Sequence, residues 1–235
     1  MDKEAFRHQV VLMQICIAFI LLMVVGCRPV SQQSKSMEFN NVKRILLPTP
    51  ITEGQISFEQ SLLERRSVRE FSDVPLSLTE IGQLLWAAQG ITNDRGYRTA
   101  PSAGALYPLE LYVVSSEAFY HYTAEEHALI VVVEGDFRVA LCEVALNQEA
   151  ICDAPVTIVM TAVYERIEKK YGPARSPRYV HLEAGHSAQN LLLQAVALDL
   201  GATPIGAFED GGVQSVLGLP NDHEPLYLIP VGKAR

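Results

Sequence analysis

Two short segments carry the residue types best suited to chemistry in this chain. Residues 65–69 read Arg-Arg-Ser-Val-Arg, and residues 101–108 read Pro-Ser-Ala-Gly-Ala-Leu-Tyr-Pro. Arginine presents a planar fork of donors that matches phosphate oxygens. Small side chains let a flat ligand approach the backbone closely. Taken singly, the first segment is typical of a solvated charged face and the second of an ordinary loop. Together they indicate a site for a phosphorylated, planar, apolar cofactor such as flavin mononucleotide (FMN).

The spacing of apolar residues predicts the elements that position these two segments. Ser77 and Glu80 are spaced as a capping box before a helix that Gly90 can end. A predicted helix over 58–64 has the arginine segment at its end. Further helices are predicted over 139–148 and 179–200, the latter closed by Gly201, and strands over 109–115, 129–133, 154–163 and 226–231. This loose alternation of helices and strands predicts an α/β or α+β sandwich.

The order of these and other short motifs resembles the nitroreductase family, in particular its SagB-type dehydrogenase branch. The resemblance spans about residues 45–233 and is carried by residues 65–69, 84–90, 101–108, 178–186, 189–190, 204–208 and 230–232. It implies an α+β fold with a central, mostly antiparallel sheet flanked by helices. It also implies an FMN cofactor and a homodimer with the long helices at its interface. Because the chain has no Gly-x-Gly-x-x-Gly motif between a strand and a helix, NAD(P)H as reductant is expected to dock transiently over the flavin.

The resemblance also implies which residues contact the cofactor. Arg65, Ser67 and Arg69 match family positions on the phosphate, and Arg66 is a weaker candidate beside them. Residues 101–105 match a segment that contacts the flavin from the partner subunit. The predicted cofactor-binding set is Arg65, Arg66, Ser67, Arg69, Pro101, Ser102, Ala103, Ala105, Ile205, Gly206, Ala207, Lys233 and Arg235. Within it, Lys233 and Arg235 are the only basic candidates near the C-terminus.

Gly206 and Tyr179 are the two candidates for a role in the reaction itself. Gly206 matches the family position whose backbone N–H faces the flavin N5 atom, and a glycine leaves that face open to a substrate. Tyr179 follows Arg178, where azoline-oxidising relatives have a Lys-Tyr pair linked to proton removal. Arginine stays protonated and cannot act as a base. Tyr179 is therefore predicted either to donate a proton or only to point its hydroxyl to solvent.

A small group of ionisable residues lies near the start of the predicted long helix. Glu183 and His186 are three residues apart and can meet on one face of the helix, whereas His181 faces another side. The predicted role of this group is hydrogen bonding at the helix end. No metal site is predicted.

Composition and resemblance together lead to one predicted function and two alternatives. The net charge of -8 argues against a nucleic-acid partner. The predicted function is FMN-dependent reduction of nitro, quinone or related small molecules by NAD(P)H. One alternative is the SagB-type oxidation of azoline heterocycles in a modified peptide. The other is a membrane-tethered ligand-binding protein without catalysis, which would be expected to lack the phosphate arginines or to carry a bulky residue at Gly206.

The N-terminal segment predicts attachment to a membrane. Residues 10–26 are nearly all apolar and end in Val-Val-Gly before Cys27. This pattern is typical of a bacterial lipoprotein signal, with Cys27 as the lipidated residue and the protein facing the periplasm or the cell exterior. The alternative is an uncleaved inner-membrane anchor with a cytoplasmic domain, which the basic residues after the run favour. The predicted organisation is a signal or anchor over 1–27, a polar tether over 28–54 and the FMN domain over 55–235.

Cys142 and Cys152 are the two cysteines outside this N-terminal segment. They are ten residues apart, with no Cys-x-x-Cys motif and no matching histidine spacing, which argues against a zinc site. The favoured prediction is two buried thiols, and a disulfide is the alternative if the domain is exported.

Overall fold

The computed structural model describes residues 43–235. The predicted signal or anchor segment, Cys27 and most of the predicted tether lie outside these residues. The end of the tether, in contrast, belongs to the folded unit Val42–Arg235. Strand β1, Arg44–Leu46, pairs with another strand of the sheet, and Leu47 is buried in the core. The domain therefore begins about twelve residues before the predicted boundary at residue 55.

A seven-stranded sheet forms the centre of the domain. Its strands are β1, β2 (Leu109–Ser115), β3 (Ala118–Thr123), β4 (Ala128–Glu134), β5 (Val156–Ala162), β6 (Gly201–Ala202) and β7 (Glu224–Gly232). Their order across the sheet is β1-β4-β3-β2-β5-β7-β6, and each neighbouring pair is antiparallel. The predicted α+β fold with a mostly antiparallel central sheet is confirmed.

Helices cover both faces of this sheet. They are α1 (Phe58–Glu64), α2 (Leu78–Gln89), α3 (Arg138–Val144), α4 (Glu149–Cys152), α5 (Tyr164–Tyr171), α6 (Ser176–Ala197) and α7 (Asp210–Leu217). Successive side chains of a strand point to opposite faces. Accordingly, Leu111 and Val113 of β2 pack in the core that includes α2 and α6, whereas Tyr112 and Val114 pack with α3, α4 and α7. No helix within residues 43–235 combines the length and the apolar character needed to span a bilayer.

The local signals near helix α2 were sufficient to predict it. The Ser77 side chain accepts a hydrogen bond from the Glu80 N–H, and the Glu80 carboxylate accepts from the Ser77 N–H at 2.8 Å. Gly90 ends the helix. Strand β2 also has the predicted bounds. Strand β3 and helices α5 and α7 were not predicted.

The end of the long helix α6 differs from the prediction. The helix stops at Ala197, Asp199 has a positive φ of 56°, and Gly201 begins β6 instead of closing the helix. The reason for a glycine here is tertiary packing. A Cβ on Gly201 would lie 2.5 Å from the Val68 side chain. Gly201 thus allows the arginine segment to pack directly against the sheet edge.

Cys142 and Cys152 form a disulfide, with their Cα atoms 4.9 Å apart. The favoured prediction of two buried thiols is therefore wrong. A single helix over 139–148 was expected, but Leu146 and Asn147 have positive φ values of 61° and 52° and separate α3 from α4. This turn reverses the chain and brings the two cysteines together.

Candidate functional site

The arginine segment runs along the sheet edge beside the C-terminus. The Val68 N–H donates to the Ala202 carbonyl at 3.1 Å, and the Ser72 N–H donates to the Lys233 carbonyl at 2.9 Å. The Arg235 N–H donates to Glu70 at 3.2 Å. These backbone bonds bring residues 65–72, β6 and the C-terminal residues into one group.

The three arginines of this segment differ in whether their guanidinium groups already bind other groups of the protein. Arg66 donates to the Leu63 carbonyl at 2.9 Å and to the Arg65 carbonyl at 2.7 Å, so it closes the C-terminus of α1. Among residues 43–235, neither Arg65 nor Arg69 forms an ion pair. Ser67 and Arg69 are exposed. Arg65, Ser67 and Arg69 are therefore available to an anionic ligand, and Arg66 is less so.

The two C-terminal cations also differ. The Lys233 ammonium lies 3.4 Å from the Glu80 carboxylate and 3.4 Å from the carbonyls of Leu198 and Asp199. It thus neutralises a carboxylate and interacts with the C-terminal end of α6, where a cation is favourable. Arg235 is exposed and forms no ion pair within the described residues. Arg235 is the freer of the two predicted phosphate contacts.

The segment around Gly206 lies along β7. Ile205 and Leu228 exchange two backbone hydrogen bonds of 2.9 Å, and the Ile205 side chain is buried in the core. Ile205 can therefore face a ligand only through its backbone. Gly206 and Ala207 are exposed, and the Ala207 carbonyl accepts a hydrogen bond from Gln148 at 2.7 Å.

Gly206 combines a free donor with open space. Its backbone N–H donates to no acceptor among residues 43–235. A Cβ built on this glycine would meet only the Tyr227 ring, at 4.0 Å. This position can therefore offer a backbone N–H to a ligand while its own face stays unobstructed.

The loop over residues 101–107 contains a strained backbone. Ala103–Ala105 form a 3-10 turn in which Gly104 has a φ of 67°, and Ala105 and Tyr107 have φ values of 54° and 45°. A non-glycine residue in this region costs about 1–3 kcal/mol and persists only where the surroundings hold it. The Tyr107 N–H donates to Ser102 Oγ at 2.9 Å, and its carbonyl accepts from Arg166 at 2.9 Å. Such strain is typical of ligand-binding loops.

Tyr179 lies next to this loop. Its ring packs on the Tyr171 ring with centroids 4.7 Å apart. The Tyr171 hydroxyl in turn lies 2.9 Å from the position that a Cβ on Gly104 would take. His181 forms a hydrogen bond of 2.9 Å with the Tyr164 hydroxyl, as the prediction of helix-end bonding implied.

The predicted contact between Glu183 and His186 is not formed, because Glu183 is buried and His186 is exposed. The buried carboxyl of Glu183 was missed. A signal for it was present, since Val180, Glu183, Ser187 and Leu191 recur at helical spacing on the buried face of α6.

A second group of charges was also missed. Glu110 accepts hydrogen bonds from His121, at 2.7 Å, and from Arg166. Burial raises the pKa of Glu110, but these two hydrogen bonds outweigh it and hold the pKa at about 2. The group lines a cavity of about 300 Å³ together with Arg98. These residues come from β2, β3 and α5, and no spacing along the chain connects them.

The predicted site residues therefore form two groups in one protomer. The first contains the arginine segment, residues 204–207 and the C-terminal residues. The second contains residues 101–107 and Tyr179. Within residues 43–235, no hydrogen bond or ion pair joins the first group to the second.

Comparison with known proteins places the chain in a family. The model of the nitroreductase family matches residues 62–233. The chain is 42% identical over 185 residues to a candidate nitroreductase of Methanocaldococcus jannaschii, MJ1384, and this match covers 76% of the chain and 92% of that protein. It is 23% identical over 225 residues to the trifolitoxin operon protein TfxC of Rhizobium leguminosarum, which covers 87% of the chain and 63% of TfxC.

A solved structure gives the same result. The crystal structure of a candidate nitroreductase from Ralstonia eutropha superposes with a TM-score of 0.74 and 28% sequence identity, over 82% of this chain and 90% of that chain. The family model's match over residues 62–233 includes both groups of the candidate site except Arg235. The chain belongs to the nitroreductase family.

Proposed function

We propose that the protein is an FMN-dependent oxidoreductase that reduces nitro, quinone or related small molecules with NAD(P)H. The observation that carries this proposal is the set of unused donors at one sheet edge. Arg65, Ser67 and Arg69 offer hydrogen bonds to a phosphate, and Gly206 offers a backbone N–H beside an open face. When bound, FMN supplies a ring that accepts and releases hydride.

In this proposal the chain binds and orients the cofactor rather than reacting itself. Arg65, Ser67 and Arg69 hold the phosphate, with Arg235 as a further cation. The Gly206 N–H orients the reacting edge of the ring and leaves room for a substrate. Tyr179 would deliver a proton to substrates that need one.

The same proposal includes a homodimer, because residues 101–105 would cover a flavin held by the partner subunit. The described surface supports this assembly. Phe58, Leu62 and Leu63 of α1 and Leu182 of α6 are large apolar side chains that are 48–72% exposed. Phe58, Leu62 and Leu63 share the short helix α1, and such a concentration of exposed apolar residues is typical of a protein interface.

One observation favours a second candidate function, which is the oxidation of azoline heterocycles in a peptide. The chain is similar to TfxC, whose name connects it with a trifolitoxin operon. The chain is 23% identical to TfxC but 42% identical to MJ1384, a candidate nitroreductase. The higher identity to MJ1384 favours the reduction of small molecules. If an azoline-containing peptide reduces the bound flavin faster than NADH or NADPH does, azoline oxidation becomes the favoured function.

The experiment that tests the proposed function is the absorption spectrum of the purified full-length chain. We expect a yellow protein with one FMN per chain, which is bleached by NADH or NADPH without oxygen and regains its colour with a quinone. A colourless protein that fails to take up added FMN would refute the proposal. That result would favour a ligand-binding protein without redox chemistry.

We also propose that the domain is held at a membrane as an exported lipoprotein, with Cys27 as the modified residue. The disulfide between Cys142 and Cys152 supports export, because disulfides persist in oxidising compartments. The variant Cys27→Ser is expected to lose the lipid mass and to leave the membrane fraction. If the variant stays membrane-bound and its mass differs from that of the wild type only by the exchange of sulfur for oxygen, the segment is an uncleaved anchor.

A further inference from the structure

Glu183 is the only charged side chain that is fully buried within residues 43–235. It lies on the inner face of α6 and is 1% exposed. Both of its carboxyl oxygens are buried without a hydrogen-bond partner among the described residues. A buried carboxyl without partners is unfavourable, so its retention calls for a specific function.

Two donors with free protons face this carboxyl. The Gln89 amide oxygen accepts from Arg98 at 3.2 Å, which leaves the buried Gln89 amide nitrogen without an acceptor. Ser102 Oγ accepts from the Tyr107 N–H at 2.9 Å, so its own proton is still available. Ser187, one turn after Glu183 on α6, donates to the Ala88 carbonyl at 2.9 Å, which places Glu183 beside the end of α2 that carries Gln89. Ser102 and Gln89 also lower the pKa of Glu183. Two donors and two carboxyl oxygens therefore meet at one place.

The position of Ser102 connects Glu183 with the strained loop. Ser102 is the residue that precedes the 3-10 turn, and its hydroxyl holds the N–H of Tyr107, which has a positive φ. A strained backbone needs contacts that hold it. A hydrogen bond between Ser102 and Glu183 would fix one end of the loop to the buried face of the long helix α6.

We propose that Glu183 is a positioning residue for the loop over 101–107. Through Ser102 and Gln89 it holds the loop in the conformation that the loop presents to a flavin of the partner subunit. The part of this inference that concerns flavin rests on the proposed function. The part that concerns the loop does not.

The proposal has a consequence for pH, with a definite sign. Burial raises the pKa of Glu183 to about 7, and Ser102, Arg98 and Gln89 oppose the rise. Gln89 belongs to α2, and Arg98 and Ser102 belong to the segment that follows α2. All three face the Glu183 carboxyl. When the loop opens, water reaches the carboxyl and its pKa falls toward the ordinary value. The closed loop thus binds a proton more tightly than the open loop, so raising the pH from the ordinary glutamate pKa toward 7 favours opening, and the effect ends above 7.

The experiment is amide hydrogen exchange of residues 101–107 in the full-length chain without FMN, corrected for the intrinsic effect of pH. In the wild type we expect protection to fall between about pH 5 and pH 7, by up to about tenfold per unit, and to level off above pH 7, where the carboxyl is ionised in both states. The glutamine in Glu183→Gln cannot ionise and keeps one acceptor and one donor. Residues 101–107 of this variant should therefore stay protected at both ends of the pH range. Glu183→Ala and Ser102→Ala should lose protection at both.

A matched control and a second readout complete the test. Glu165→Gln changes an exposed glutamate, paired with Lys169 on α5, and should leave the loop unchanged. Glu183→Ala and Ser102→Ala should also weaken FMN binding, and Glu183→Gln should restore it. Glu183 variants with a lower unfolding temperature but wild-type loop protection would show a merely structural role and overturn the inference. If the wild type shows the expected pH dependence of protection over residues 101–107 but binds no FMN, the proposed function is overturned. The role of Glu183 in positioning the loop would still hold.

Discussion

Gly206→Val is expected to bind FMN with nearly normal affinity and to lose at least about a hundredfold in turnover with every substrate. The phosphate contacts proposed for Arg65, Ser67 and Arg69 would dominate binding, and this substitution leaves them unchanged. The branched side chain, however, would stand on the face that hydride must cross. The protein should still fold, because a Cβ at Gly206 meets only Tyr227 at 4.0 Å. The measurement is flavin bleaching by NADH or NADPH under anaerobic conditions.

Two further variants make this result specific. Gly211→Val changes a glycine in α7 whose added Cβ would meet no atom within 4 Å, so it should bleach normally. Tyr179→Phe removes only the phenolic hydroxyl and with it the proton donor, so it should slow the reduction of nitro substrates and spare a quinone. Normal bleaching in Gly206→Val would show that Gly206 does not lie at the reacting face. Equal losses for both substrates in Tyr179→Phe would assign the tyrosine to structure or binding.

Arg65→Ala and Arg69→Ala are each expected to weaken FMN binding by about tenfold to a hundredfold. A hydrogen bond that involves a charged group contributes about 1.5–3 kcal/mol, and these guanidinium groups have no ion-pair partner within residues 43–235 to release. Titration of the apoprotein with FMN, followed by quenching of flavin fluorescence, measures the affinity. The effect should shrink at high salt, because part of it is electrostatic.

Arg66→Ala is the matched control for this pair. Its guanidinium already bonds the carbonyls of Leu63 and Arg65, so its loss should lower stability slightly and affinity little. Suppose that Arg65→Ala and Arg69→Ala kept full affinity for FMN while Arg66→Ala lost it. Arg66, and not Arg65 or Arg69, would then be the residue that binds the phosphate. Retention of full affinity in all three variants would place the phosphate elsewhere.

Much of the local structure could be predicted because its causes are local. The capping box of Ser77 and Glu80 is a contact between residues three apart, and the alternation over 109–115 identifies β2 by itself. Strand β3 was missed although it is rich in aromatic residues. Its position follows from pairing with β2 and β4, which lie on either side of it in the sheet.

The chain by itself determined the candidate phosphate contacts, the glycine at 206 and the small-residue loop, since these depend on side-chain chemistry within short segments. Only the tertiary structure decided which charges are free. Arg66 and Lys233 are engaged at the ends of α1 and α6, whereas Arg65 and Arg69 have no ion pair within the described residues. It also joined Cys142 to Cys152 across a helix break and buried the Glu183 carboxyl without a hydrogen-bond partner among the described residues. The physical reason is that burial and pairing depend on segments far apart in sequence, which meet only when the sheet and its helices have packed.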